Sequence, residues 1–113
     1  MVEHVNSFDQ MWELSKIYDP LLVFCYYPEF APEELLEQLS ARFMELENEE
    51  GVKFVLANME IGDNFKIEDS FVGQCRLAVY KYPKQVAVFD DIDINSVDYY
   101  SSGFQFVDLQ EYK

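Results

Sequence analysis

The chain predicts an α/β sandwich of three layers, with a mixed central sheet flanked by helices, as one domain over residues 1–113. Three observations carry that expectation. Leu21 to Tyr26 is an unbroken apolar run, the pattern of a strand covered on both faces. Helical and strand periodicities alternate through the first half, which implies parallel pairing. Later, two short apolar segments turn on Tyr82-Pro83 as an antiparallel hairpin, which makes the sheet mixed.

Each element has its own local reason. Val2 to Val5 is expected to form a short edge strand. Asn6 or Ser7 can cap a first helix, with Asp9 adding charge in its first turn. Phe8, Met11, Trp12, Leu14 and Ile17 then recur at helical spacing and define one buried face. Asp19-Pro20 ends that helix, because proline cannot continue the hydrogen-bond ladder and restrains the residue before it. After the Leu21 to Tyr26 strand, Pro32 suits the first turn of a second helix, where its missing N–H costs nothing.

Leu35, Leu36, Leu39, Phe43 and Leu46 line one face of that helix, and glutamates fill much of the rest. Gly51 can cap its end, and Val52 to Met59 is the next strand. A short helical turn around Asn64 to Asp69 leads through Phe71-Val72-Gly73-Gln74-Cys75 to the hairpin strands, Arg76 to Lys81 and Gln85 to Phe89. Val97 to Tyr100 reads as a strand or a helical turn, and Phe106, Leu109 and Tyr112 mark a short terminal helix.

Composition narrows the class of function. With 113 residues, half of them hydrophobic and 17% aromatic, the chain can build one core. Acidic residues outnumber basic ones 22 to 8, for a formal net charge of -14. Such a field repels nucleic-acid phosphates and anionic membranes and attracts cations and basic protein surfaces. Direct nucleic-acid or membrane binding is therefore not expected. Met1-Val2-Glu3-His4 lacks a basic-then-apolar leader pattern, and two cysteines make no disulfide framework, so a cytoplasmic or other intracellular location is expected.

The segment Leu21 to Glu33 carries a resemblance. An apolar strand, a Pro-containing aromatic loop and an amphipathic helix follow one another as at a thioredoxin active site. In register, the Cys-Gly-Pro-Cys slot reads Phe30-Ala31-Pro32-Glu33. Phe8, Asp19-Pro20, Val55 to Glu60 and Leu77-Ala78-Val79-Tyr80 also resemble family positions. The stretch from Val97 through Gly103 to Tyr112 is similar to the end of disulfide-isomerase domains. The chain thus resembles a thioredoxin or disulfide-isomerase domain that lacks the Cys-x-x-Cys pair, and the implied fold is the thioredoxin-like sandwich.

That resemblance implies a dismantled redox centre. Thiol exchange needs an accessible thiolate and a second sulfur to resolve the mixed disulfide. Phe30 fills the nucleophile slot, Glu33 the resolving slot, Phe24 the place of the buried acid, and Cys75 the slot of the family's cis-proline. Redox catalysis is not expected. Cys25 reads as a buried small hydrophobe and Cys75 as a loop thiol, although a bridge between them is conceivable.

Other chemistries find little support. Asp91, Asp93 and Asn95 copy the start of a calcium loop, but Ser96 and Ser102 stand where glycine and a bidentate glutamate are needed. Diffuse calcium binding through surface carboxylates remains open, as in calsequestrin, an acidic protein of thioredoxin-like domains without the cysteine pair. His4 is the sole histidine and reads as a surface imidazole. The four glycines do not form a phosphate-cradling loop. No cofactor or metal is expected.

Two readings of function follow. In the first, the chain is a non-catalytic protein binder. The resemblance then places Tyr26, Tyr27, Phe30, Gln74 and Cys75 on or near the patch where the family receives polypeptide. Aromatics suit such a role because they bury large area at low entropic cost. In the second, carboxylates imitate phosphates and occupy a basic, nucleic-acid-binding protein. Glu34, Glu37, Glu45, Glu47, Glu49, Glu50, Asp90, Asp91 and Asp93 would supply that surface.

Overall fold

In the computed structural model, residues 3–18, 20–50, 53–68 and 75–90 are described, apart from the side chains of residues 42, 43, 45, 46, 48–50, 87 and 90. Strand β1 (Glu3–Val5) leads to helix α1 (Phe8–Ile17), strand β2 (Leu21–Tyr26), helix α2 (Glu33–Glu50) and strand β3 (Lys53–Asn58). A 3-10 turn at Asn64–Lys66 precedes strands β4 (Cys75–Lys81) and β5 (Lys84–Asp90). The five strands lie in the order β1-β3-β2-β4-β5. Strands β1 and β2 both run parallel to β3, whereas β4 is antiparallel to β2 and β5 to β4. The mixed sheet read from the sequence is the observed one.

Strand β2 lies between β3 and β4, and all six of its residues are buried. Its even residues Leu22, Phe24 and Tyr26 join Phe54, Leu56, Cys75, Leu77 and Val79 against Leu35 and Leu39 of α2. Its odd residues Leu21, Val23 and Cys25 join Val5, Val55, Ala57, Ala78 and Tyr80 against Met11 of α1. The alternation of side chains along a strand thus gives one sheet two separate apolar cores. Burying a side chain such as Phe24 or Leu22 stabilises the fold by about 1.5–3 kcal/mol.

Helix α1 begins as its sequence indicates. Ser7 is the cap: its Oγ accepts from the Gln10 backbone N–H at 3.0 Å, while Gln10 Oε1 accepts from the Asn6 N–H at 2.7 Å. At the other end, the Tyr18 N–H donates to Leu14 O and the chain turns extended. The expected buried face needs one correction. Ile17 is 70% exposed, because six residues past Met11 lies about 120° around the helix from it. Ser15, four residues past Met11, is buried instead, with its Oγ donating to Trp12 O at 2.7 Å. Trp12 packs edge-on against Phe8, Tyr80 and Tyr82, which seats the helix beside β4 and the hairpin turn.

Helix α2 opens where proline was expected: Pro32 O accepts from the N–H groups of Leu35 and Leu36. Leu35 and Leu39 are buried and Leu36 half-buried, while the Phe43 and Leu46 side chains lie outside the described residues. The hairpin pivots on Tyr82-Pro83, whose peptide bond is cis. The segments at 91–113, including the expected terminal helix, lie outside the described residues. No helix among the described residues is long and apolar enough to cross a membrane.

Candidate functional site

The loops that leave the carboxyl ends of β2 and β3 share one end of the sheet with the start of β4. Open α/β sheets commonly place binding functions at the carboxyl ends of their parallel strands. After β2, the Phe30 N–H donates to Tyr27 O at 2.8 Å and closes a turn across Pro28 and Glu29. Phe30 is left 48% exposed on that turn. Ala31 then drops into the core beside Tyr26 and Cys75, and Pro32 opens the helix. Glu33 and Glu34 present exposed carboxylates in the first turn of α2, where they complement the positive end of the helix dipole.

The second loop is fastened in three places. Met59 donates its N–H to Tyr26 O at 2.9 Å, which ties this loop to the end of β2. Asn64 is fully buried and its Nδ2 donates to Val5 O and Asn58 O, both at 2.9 Å, while its Oδ1 has no partner among the described residues. Asp63 Oδ1 accepts from the Phe8 N–H at 2.8 Å. Gly62 has φ +57° and lies so close to the Asn6 carbonyl that a Cβ would come within 2.2 Å of its oxygen. On this anchored loop Ile61 and Phe65 are exposed. Sequence reasoning missed both. The available signal was two large apolar side chains flanking the polar turn Gly62-Asp63-Asn64.

The expected binding patch comes apart in part. Tyr26 (5% exposed) and Cys75 (1%) belong to the core against α2, so neither offers surface to a partner. Their ladder positions explain this, since Tyr26 and Cys75 are cross-strand partners on the face that α2 covers. Tyr27 is half-buried against the α1 side, Phe30 is open, and Gln74 lies outside the described residues.

Both thiols are buried. Cys75 is the first residue of β4 rather than a loop thiol. Cys25 pairs in register with Arg76 and Cys75 with Tyr26, so the two cysteines point to opposite faces of the sheet. Neither forms a disulfide, and the sheet lies between the two thiols. Burial pushes the Cys25 thiol far up, the Glu68 carboxylate adds to the effect, and Arg76 opposes it. Phe24 is fully enclosed and stacked on Tyr26 with ring centroids 6.1 Å apart.

A polar cluster sits on the α1 side of the hairpin. Glu68 Oε1 accepts from Arg76 Nη1 at 2.8 Å, and its Oε2 accepts from the Tyr80 hydroxyl at 3.0 Å and Gln85 Nε2 at 2.7 Å. Burial raises the Tyr80 phenol well above its usual range, and the neighbouring Glu68 charge raises it further. Through these contacts Glu68 is tied to β4 and β5.

The acidic surface also needs correction. Glu34 and Glu37 are exposed on α2, with Glu34 accepting from Gln38 Nε2 at 3.2 Å. Glu47, by contrast, is half-buried and accepts from the Phe54 N–H at 2.7 Å, so it clasps the end of α2 to β3. The side chains of Glu45, Glu49, Glu50 and Asp90, and all of Asp91 and Asp93, lie outside the described residues. Among the described residues, no three His, Cys, Asp or Glu side chains gather in a way that could hold a metal ion.

No protein-family model matches the chain, and no curated protein matches it in sequence. Solved structures do match it. A thioredoxin of Fasciola hepatica superposes with a TM-score of 0.68 at 11% identity, covering 99% of this chain and 100% of that one. Thioredoxin f2 of Chlamydomonas reinhardtii gives 0.65 at 14% identity, with 96% and 97% covered. A cysteine-to-serine mutant of an Entamoeba histolytica thioredoxin gives 0.64 at 18% identity, with 88% and 95% covered. The chain has the thioredoxin-like fold. Cys25 and Cys75 are its only cysteines and do not form a Cys-x-x-Cys pair.

Proposed function

We propose that this chain is a non-catalytic protein-binding member of the thioredoxin-like fold, using the loop end where relatives of that fold carry their thiols. One observation carries the reading. The nucleophile slot holds an exposed phenylalanine, Phe30, while both cysteines are buried on opposite faces of the sheet. Neither residue of the slot can take up or resolve a mixed disulfide, because that chemistry needs sulfur at the surface. Phe30, Ile61 and Phe65 instead put large apolar side chains on two loops at one end of the sheet. Exposed aromatics held on firmly anchored loops are what a protein-recognition patch requires.

The competing reading is an acidic imitation of nucleic acid directed at a basic partner. Exposed Glu33, Glu34 and Glu37 favour it, and the engagement of Glu47 removes one carboxylate from the stripe. Salt separates the two. Partners captured by the immobilised protein from its source cells should persist at high salt if apolar contact dominates, and dissociate steeply if charge does. Phe30→Ala should abolish capture with little loss of thermal stability. Unchanged capture by a Phe30→Ala protein that has lost stability would sink the first reading.

A further inference from the structure

A second apolar opening lies away from the Phe30 loop. Helix α2 crosses between β2 and β3 and packs Leu35 and Leu39 against the sheet. Strand β1 (Glu3–Val5) ends the described strand order, and on the α2 side it carries His4, paired in register with Leu56. The helix does not reach over this strand. A groove of about 420 Å³ results, floored by Leu56, walled by Leu36, Ala41 and Met44, and flanked by His4, Glu33 and Glu37. Its size falls within the range of binding clefts.

We propose that this groove receives an extended segment of a partner protein that alternates apolar and basic side chains. Three features select that occupant. The groove runs beside β1, which pairs among the described residues with β3 alone, so a strand can be added there and every second side chain then points the same way. From Glu33 to Met44 the helix spans roughly 16 Å at 1.5 Å per residue, which matches about five extended residues. Among the described residues, the charged side chains that line it are the carboxylates of Glu33 and Glu37. Apolar side chains therefore enter the groove while lysines or arginines meet Glu33 and Glu37. Charge disfavours a second copy of this chain, because each copy carries a formal net of -14.

The probe is an acetylated seven-residue peptide alternating lysine and leucine, titrated into the full-length protein and followed by anisotropy and by the NMR signals of His4 and the Met44 methyl. Two control peptides replace leucine by serine, keeping the charge, or lysine by glutamate. The expected result is a shift of the His4 and Met44 signals, with binding at least about tenfold weaker for each control (on the order of 1.4 kcal/mol). Ala41→Trp, which fills the groove from an exposed position, should weaken binding by a similar factor. Glu37→Lys should do the same and flatten the salt dependence, and it carries the test if Ala41→Trp does not fold. Phe30→Ala should leave this binding unchanged, which separates it from the loop patch. Equal binding of the serine control, or wild-type binding by both groove variants, would show diffuse charge attraction and overturn the proposal. Self-association that displaces the peptide, or absence of binding, would overturn it as well.

Discussion

If Cys25 and Cys75 are core residues, a thiol reagent reaches them only when the fold opens. The perturbation is alkylation of the native protein with iodoacetamide, compared with alkylation in urea and read by mass at each cysteine. Cys25 points from the central strand β2 into the core beneath α1, so its exposure requires that helix to lift from the sheet and the core to open. That event is equivalent to unfolding. Even at the low end of ordinary stability, about 5 kcal/mol, the open fraction is roughly one in 5,000, and labelling slows by that factor. Thiolate is scarce besides, because burial raises the Cys25 thiol above its ordinary 9.0. Cys75 begins β4, where the strand end frays more easily, so it should label before Cys25 and still well below the rate of an exposed thiol. Labelling of native Cys75 at the rate seen in urea would refute the reasoning. So would reduction of a disulfide substrate by the protein, or a Cys25–Cys75 crosslink after oxidation.

Other expectations follow from packing and titration. In urea denaturation, Phe24→Ala should cost about 3–5 kcal/mol, whereas Phe30→Ala should cost under about 1 kcal/mol because half of its ring is already in water; equal losses would place Phe30 in the core. Gly62→Ala should destabilise by more than about 1–2 kcal/mol, since the positive φ is strained for alanine and its Cβ meets the Asn6 carbonyl; an unchanged midpoint would refute the close approach. Glu68→Gln should cost about 1.5–3 kcal/mol by weakening the charged contact to Arg76, and thermal denaturation at neutral pH reads it. Stability should fall at alkaline pH. Cys25 and Tyr80 have folded pKa values raised above 9.0 and 10.0, so the unfolded chain loses their protons first. Their contribution is complete below pH 9 and is lost above it, at up to about 1.4 kcal/mol per pH unit for each group. A urea midpoint constant from pH 8 to 10.5 would contradict this.

Much of the architecture was legible from local rules. The unbroken apolar run Leu21 to Tyr26 announced a strand buried on both faces, since only a central strand hides consecutive side chains. Ser7 and Pro32 marked helix starts through their own hydrogen-bonding chemistry, and Tyr82-Pro83 marked the hairpin turn. The order of elements then pointed to the thioredoxin-like fold, which the superpositions bear out. That the chain has no Cys-x-x-Cys motif needed no coordinates, because its two cysteines stand at positions 25 and 75.

What periodicity could not settle was which way each side chain points relative to a distant partner. The spacing of helix α1 admitted Ile17 to the buried face, but contact with the sheet selected Ser15 instead. Cys75 looked like a loop thiol until pairing with Tyr26 put it under α2. Glu47 looked like one more surface acid until β3 brought the Phe54 N–H within 2.7 Å. The groove beside β1 has no local signature, because it is the space between that strand and a helix that stops short of covering it. Residue type and spacing thus determined the described elements, their order and the lack of a Cys-x-x-Cys motif. Tertiary structure alone decided which side chains stay exposed, because exposure depends on what packs across the sheet and not on the neighbours along the chain.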